Sequence, residues 1–342
     1  MKAAVWDAIN HVSINEVPKP CADEGHVVVK VKAVGVCATD IHMISGKVTL
    51  ASPPAILGHE IAGVIDEIGQ GVHGWNVGDR VVIDTIISCG RCKACKSGRK
   101  ELCPDRMEIG YNPYDGGYAE YVRVPAQCLV HLPEEIPFRD AAILESIACP
   151  FGAVLRIGVK PGSTVLIQGA GPAGIAFTQA AKLSGAKKVI MSARGKQRLE
   201  FAKHFGADEV IDAQNENVLE RVMELTGGEG CDYVMDAAGT VDSILLCFDA
   251  AKIGGDVFYY GIPDASAEIP FPFMTMMMKQ LRLHGILEYC AGWDTLVSLA
   301  QTGRINVHDM VTHTFGIEEL PKAIELYKSK DRSLIKAVIE ME

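Results

Sequence analysis

The sequence predicts an α/β protein of two domains: one β-rich, the other a doubly wound parallel sheet. Three observations carry this. Short β-branched runs separated by Gly and Pro fill residues 1–150. Strand and helix patterns alternate from Ser163 onward. The chain has 342 residues, and at roughly 150 residues per domain that length suits about two.

Residues 26–34 (HVVVKVKAV), 61–68 and 80–87 read as strands, punctuated by VPKP, GHE and GQGVHGWNVGD. This spacing suits an antiparallel, barrel-like domain. Residues 139–157 are apolar at helical spacing with few breakers, so a helix is expected there. STVLIQGAG is then a strand running into a glycine turn, and GPAGIAFTQAAKLSGA a small-residue helix ending at Gly185. KKVIMSA is a second strand, and KQRLEFAKHFGA a second helix stopped by Gly206. DEVID, CDYVMDAAG and GGDVFYYGI continue the series. Such alternation means βαβ units and a parallel sheet. After Leu287 the pattern loosens. The tail from Trp293 reads as two helices and a closing strand, SLIKAVIEME.

Composition excludes several functions. Hydrophobic residues are 48% and charged residues 22%, which rules out a mainly disordered chain. The formal charge of −10 argues against nucleic acid or anionic membrane as a partner. No apolar run approaches the roughly 20 residues that span a bilayer. MKAAVWDAINHV lacks a signal-peptide core, so a cytoplasmic protein is expected.

Eleven cysteines in such a chain do not suggest a disulfide framework. Four of them crowd together as C-x2-C-x2-C-x7-C: Cys89, Cys92, Cys95 and Cys103. Four thiolates close a tetrahedron around zinc and leave no open position, so the site should be structural. Lys93, Lys96, Arg99 and Lys100 are expected to offset its negative charge. The spacing differs from the bacterial ferredoxin run, whose fourth cysteine is closer. Cys21, Cys128, Cys149, Cys231, Cys247 and Cys290 are read as ordinary buried thiols.

Gly169-Ala-Gly171-Pro172-Ala173-Gly174 is a GxGxxG between a strand and an Ala-rich helix. The first glycine permits the turn, the second lets the backbone approach a pyrophosphate, and the third lets helix and strand pack closely. The helix N-terminus offers N–H groups to phosphate. A carboxylate at the end of the second strand would mark NAD, but Ala193 stands there, followed by Arg194, Lys196 and Arg198. Cations in place of the acid favour NADP(H), because they pair with a 2′-phosphate.

A second metal centre is expected from Cys37 and His59, far apart in sequence. A catalytic zinc wants about three protein ligands and one exchangeable position, so one carboxylate would complete the set. The motifs C-x-T-D-x-H at 37–42, GHE at 58–60, the cysteine lobe and GAGPAG resemble, in this order and spacing, those of the zinc-dependent medium-chain dehydrogenase/reductases. Asp79-Arg80-Val81, GGYAEY at 116–121 and Val311-Thr312-His313 support the likeness, which spans essentially the whole chain and is nearest the sorbitol (polyol) and threonine dehydrogenase branch.

The resemblance implies a GroES-like catalytic domain at 1–150 with 290–342, and a Rossmann domain at 151–289. It implies Cys37, His59 and either Glu60 or Glu145 as catalytic zinc ligands, with Cys149 a less favoured rival for the last place. Asp40 would orient the site, and Thr39 and His42 would relay a proton. Two zinc ions per chain and NADP(H) are the implied cofactors. The implied reaction interconverts a polar secondary alcohol (polyol, cyclitol or amino-polyol) and its ketone. Oxidation of L-threonine or of a simple secondary alcohol is the alternative. Glu288 stands where the polyol branch usually carries Arg. A zinc-free quinone reductase of the same fold conflicts with the two metal signatures, and a zinc-ribbon redox-sensing adaptor with the acidic charge. The apolar stretch at 271–278 and the last cofactor-domain strand imply a homodimer or homotetramer.

Overall fold

The computed structural model describes residues 1–264, 266–288, 292–329 and 331–341. They divide into two compact units, 1–148 with 292–342 and 149–291. Cys290, one of the six cysteines read as ordinary thiols, lies outside the described residues.

The first unit is organised around strand His26–Val36, whose Val27, Val29, Val31 and Val34 are fully buried. Its sheet runs Val311–Gly316, Lys336–Glu340, His26–Val36, Glu60–Ile68, Arg80–Ile83, Leu129–His131. Tyr121–Pro125 adds to the first half of the central strand. The pairings are antiparallel except that of Val311–Gly316 with Lys336–Glu340, which is parallel. Val27, Val29, Ile61, Ile65 and Val81 belong to one apolar core. The hairpin Lys2–Ala8 and His11–Glu16 forms a separate two-stranded sheet.

Two long runs break where a single element was expected. The 80–87 run splits into Arg80–Ile83 and Ile86–Ile87. Between them lie buried Asp84 and Thr85, whose polar groups leave the ladder. Asp84 Oδ1 accepts the Ile86 N–H at 3.3 Å, and the Thr85 carbonyl accepts the Ile109 N–H at 3.0 Å. The 139–157 helix divides at Ile143 into Phe138–Ala142 and Leu144–Ile157, which places Glu145 in a first helical turn.

The second unit is a parallel sheet of six strands: Glu209–Asp212, Lys188–Ala193, Thr164–Gln168, Cys231–Asp236, Ala251–Tyr259, Arg282–Gly285. The order reverses beside the first strand, the doubly wound arrangement that puts ligand sites at strand C-termini. Leu166, Ile190, Ile211, Val234 and Val257 fill its core. Two further helices, not named among the sequence expectations, fill the intervals between strands of this series. Val218–Thr226 is capped by Asn217 and stopped by left-handed Gly227, and Val241–Ala250 opens on a Thr240/Ser243 capping box.

Helix Phe273–Lys279 begins within the apolar 271–278 stretch and ends just beyond it. Lys279 ties it down by donating to the carbonyls of Phe248, Asp249 and Ala251. Cys21 is exposed, contrary to the buried reading, because it lies in the Pro-flanked segment between strands. No helix among the described residues is long and apolar enough to cross a membrane.

Candidate metal and dinucleotide sites

Strand His26–Val36 delivers Cys37, which caps helix Ala38–Ile44; Asp40 Oδ2 accepts the Cys37 N–H at 3.4 Å. The neighbouring strand begins at Glu60, and Gly35 pairs with Glu60 in register. His59 precedes it on a turn that only glycine permits. Gly58 has φ +92, and a Cβ there would stand 2.9 Å from the Tyr118 ring. These constraints bring ligand atoms of Cys37, His59 and Glu60 within 4.8 Å of one another.

His59 and Glu60 are buried, whereas Cys37 is only half-buried. His59 Nδ1 faces Asp40 Oδ1 at 3.3 Å with no hydrogen bond formed, which leaves Nε2 for a metal. Glu60 Oε2 is buried without a hydrogen-bond partner. A thiol, an imidazole and a buried carboxylate with an unused oxygen fit a zinc ion.

Tyr118 and Lys336 were not assigned roles by the sequence. The Tyr118 hydroxyl donates to Asp40 Oδ2 at 2.7 Å, and Lys336 Nζ donates to Glu60 Oε1. The motif around Tyr118 was recognisable, but nothing local marks Lys336. Tyr111 stands edge-on to His59, with ring centres 5.8 Å apart.

Burial opposes charge on Asp40 and on His59, but their surroundings prevail. His59 first and the Tyr118 hydroxyl after it lower the Asp40 pKa. Tyr111, Asp40 and Cys37 raise that of His59. Glu145 is buried but stands outside the group of three. Burial raises its carboxyl to about 7; His59 and Lys336 oppose that rise and Glu60 adds to it. Cys149 is buried and belongs to neither cysteine-containing cluster. Thr39 Oγ1 lies 3.6 Å from Cys37 Sγ. His42, on the same helix, is exposed, and its pKa is lowered first by partial desolvation and then by Lys47.

Cys89, Cys92, Cys95 and Cys103 form a second group with sulfur atoms within 4.8 Å of one another. Helix Lys93–Lys96 starts at Cys92, whose Sγ accepts the Cys95 N–H at 3.4 Å, and Cys103 Sγ accepts the Cys89 N–H at 3.4 Å. Backbone donors from Arg91 and Cys92 lower the Cys89 thiol to about 6, the direction a metal thiolate needs. Two of the expected counter-cations do other work: Lys100 pairs with buried Asp84, and Arg99 with buried Glu101. The Lys100–Asp84 pair fastens the lobe to the body of the unit, whereas the Arg99–Glu101 pair lies within the lobe.

In the second unit, strand Thr164–Gln168 turns at Gly169 into helix Pro172–Leu183, with Gly171 as N-cap and Pro172 in the first turn. Gly169 has φ +99 and lies against Ala237. A Cβ on Gly174 would fall 1.8 Å from the Gly169 carbonyl oxygen, whereas one on Gly171 would meet nothing within 4 Å. The third glycine therefore serves packing, and the second leaves open space where a pyrophosphate would approach. Ala173 is half-buried in the first turn of that helix.

Ala193 ends strand Lys188–Ala193 and is followed by exposed Arg194. Arg198 reaches back, its guanidinium donating to the Ala170 carbonyl at 3.1 Å. The nearest acid in register, Asp212, accepts hydrogen bonds from Gln214 and Asn215 of its own turn.

Residues 23–134 match the alcohol dehydrogenase GroES-like domain, and residues 172–302 match the zinc-binding dehydrogenase family. A sorbitol dehydrogenase of Halalkalibacterium halodurans is 37% identical over 334 residues, covering 96% of each chain. An L-threonine 3-dehydrogenase of Pyrococcus horikoshii is 36% identical over 92% of this chain and 90% of that one. A protein assigned as a zinc-binding dehydrogenase from Sinorhizobium meliloti, solved bound to NADP, superposes with a TM-score of 0.93 at 30% identity, covering 99% of both chains. With both domains matched and such likeness along nearly its full length, the chain belongs to the zinc-dependent medium-chain alcohol dehydrogenase family and is an oxidoreductase of that family.

Proposed function

We propose that this protein is an NADP(H)-preferring dehydrogenase that interconverts a polar secondary alcohol, of polyol, cyclitol or amino-polyol type, and its ketone. The observation that carries this reading is the open donor set Cys37–His59–Glu60, with a second buried carboxylate, Glu145, interacting with it. Cys37 and His59 with Glu60 or Glu145 would hold a catalytic zinc, and Cys89, Cys92, Cys95 and Cys103 a structural one. Bound zinc supplies Lewis acidity toward the substrate oxygen, and bound nicotinamide accepts or gives the hydride.

The chain's own groups do the rest. Asp40 faces His59 Nδ1 and orients the ring by its charge, and the Tyr118 hydroxyl holds Asp40. Thr39 accepts the substrate's hydroxyl proton while giving up its own, which would pass by way of the hydroxyls of a bound nicotinamide ribose to exposed His42 and then to solvent. Gly169, Gly171, Pro172, Ala173 and Gly174 form the cradle for the pyrophosphate. Arg194 and Arg198, helped by Lys196, receive the 2′-phosphate, and Ala193 leaves no carboxylate to repel it. Buried carboxylates make the metal pocket polar, which disfavours long aliphatic alcohols. Glu288, in place of a polyol-binding Arg, would select for a cationic or hydroxyl-donating group.

The test is a side-by-side rate survey with NADP+ and NAD+ over polyols, cyclitols, amino alcohols, simple secondary alcohols and L-threonine. Higher kcat/KM with NADP+ and a hydroxyl-rich substrate is expected. Preference for NAD+ would overturn the cofactor assignment, and preference for L-threonine or an unsubstituted alcohol would overturn the substrate class. The identity to a threonine dehydrogenase puts L-threonine in that survey.

Edge strand Arg282–Gly285, together with exposed Phe273, Met274, Met277 and Met278, is where we place contact between copies in a homodimer or homotetramer.

A further inference from the structure

Lys336 opens strand Lys336–Glu340 and is 2% exposed. Lysine is almost never buried this far without a partner, since desolvating an ammonium costs several kcal/mol. Its partner is Glu60, itself fully buried and 276 positions away in the chain. Sheet register explains the meeting. Central strand His26–Val36 lies between Glu60–Ile68 and Lys336–Glu340, with Gly35 opposite Glu60 on one side and Val36 opposite Ala337 on the other. Both flanking strands begin beside the end of the strand that delivers Cys37.

The ion pair divides the two oxygens of Glu60. Oε1 accepts from the ammonium, while Oε2 is buried with no hydrogen-bond partner. The space at Oε2 is kept by Gly35, where a Cβ would stand 1.9 Å from that oxygen. The Tyr327 hydroxyl donates to the Val36 carbonyl at 2.5 Å and closes the same end of the strand. The ion pair with Glu60 is what allows a lysine to be buried at this position.

We infer that Lys336 is a positioning residue of the catalytic metal centre: it occupies one oxygen of Glu60, so that the carboxylate offers a single oxygen to the ion and an exchangeable position stays open. It acts through Glu60 and is not a ligand. An ammonium beside a divalent ion also repels it and draws charge out of the carboxylate. Lys336 therefore weakens metal retention while leaving the ion a stronger Lewis acid. A residue needed only for folding would do the opposite, and its loss would loosen the metal. The inference rests on Cys37, His59 and Glu60 holding a metal.

The test uses Co2+-exchanged full-length protein and four variants: Lys336→Met, Lys336→Arg, Glu60→Gln and the double variant Lys336→Met/Glu60→Gln. In Lys336→Met, the visible Co2+ bands should weaken as Glu60 becomes free to use both oxygens. Resistance to a chelator should rise. The kcat should fall by about 10- to 100-fold, the range for outer partners of metal ligands, with a smaller change in KM. Lys336→Arg, which keeps the cation, should restore the wild-type spectrum.

In the double variant, which carries no unpaired charge and so tests the idea even if Lys336→Met folds poorly, the spectrum should match that of Glu60→Gln alone. Identical bands in wild type and Lys336→Met, or faster metal loss from Lys336→Met, would overturn the inference and leave the metal assignment standing. Wild-type protein that binds Co2+ only at the four-cysteine lobe would overturn both.

Discussion

Cys37 is the most exposed of the three clustered ligand candidates, so its removal should perturb chemistry more than packing. Cys37→Ala is expected to abolish activity and to remove one zinc per chain, with the circular dichroism spectrum unchanged. A fully active variant with two zinc ions would remove Cys37 from the site. In the second unit, Arg194 is exposed next to Ala193, with no carboxylate at the strand end. A charge-assisted hydrogen bond is worth about 1.5–3 kcal/mol, so Arg194→Ala should raise KM for NADP+ by about 10- to 100-fold and leave KM for NAD+ unchanged. Parallel changes for both cofactors would refute a 2′-phosphate role. Glu145 sets a pH dependence of its own. Burial moves it from 4.5 to about 7 in the metal-free fold. A carboxyl raised on folding contributes stability while protonated in both states and loses it as pH rises from 4.5 through 7. Chelator-treated wild type should therefore lose urea resistance across that window, and Glu145→Gln should lose less. Equal slopes would rule out Glu145 as the source.

The glycine turn and the cysteine lobe are elements whose local geometry can be tested separately. Gly174→Ala places a methyl 1.8 Å from the Gly169 carbonyl, so the helix must lift from its strand. Overpacking of this kind costs about 1–3 kcal/mol, and NADP+ affinity should fall by about 5- to 100-fold in a binding titration while zinc content is unchanged. Gly171→Ala, whose added methyl meets no protein atom, should fold normally and lose affinity only if a phosphate approaches there. The motif announced this turn because every constraint on it is local. The lobe was legible for the same reason: four cysteines at short spacing. Its attachment was not legible, because the Lys100–Asp84 pair joins residues in different segments. The 80–87 run likewise hid its break at Asp84 and Thr85, where buried polar groups rather than apolar periodicity decide the backbone path. Strand Val311–Gly316 carries no clean strand pattern, because half-buried His313 and Thr312 blur its alternation.

For the whole molecule, the exposed face of helix Phe273–Lys279 and the open edge at Arg282–Gly285 set the association prediction. Met278 is 73% exposed and Met274 is 65% exposed. A Met274→Asp/Met278→Asp variant should elute at monomer mass in size-exclusion chromatography with light scattering, whereas the wild type elutes as a dimer or tetramer. A monomeric wild type would remove the assembly proposal. Taken alone, the sequence determined the doubly wound sheet, the cysteine lobe, the glycine cradle and the family, because each is written in residues close together or in a periodic pattern. Only the tertiary structure decided how Glu60 is used. A β-sheet sets side chains together by register across strands, and register links positions hundreds of residues apart without leaving a local mark. Lys336 reached Glu60 in that way, and its place beside the ligand candidates became visible only when the last strand was laid against the third.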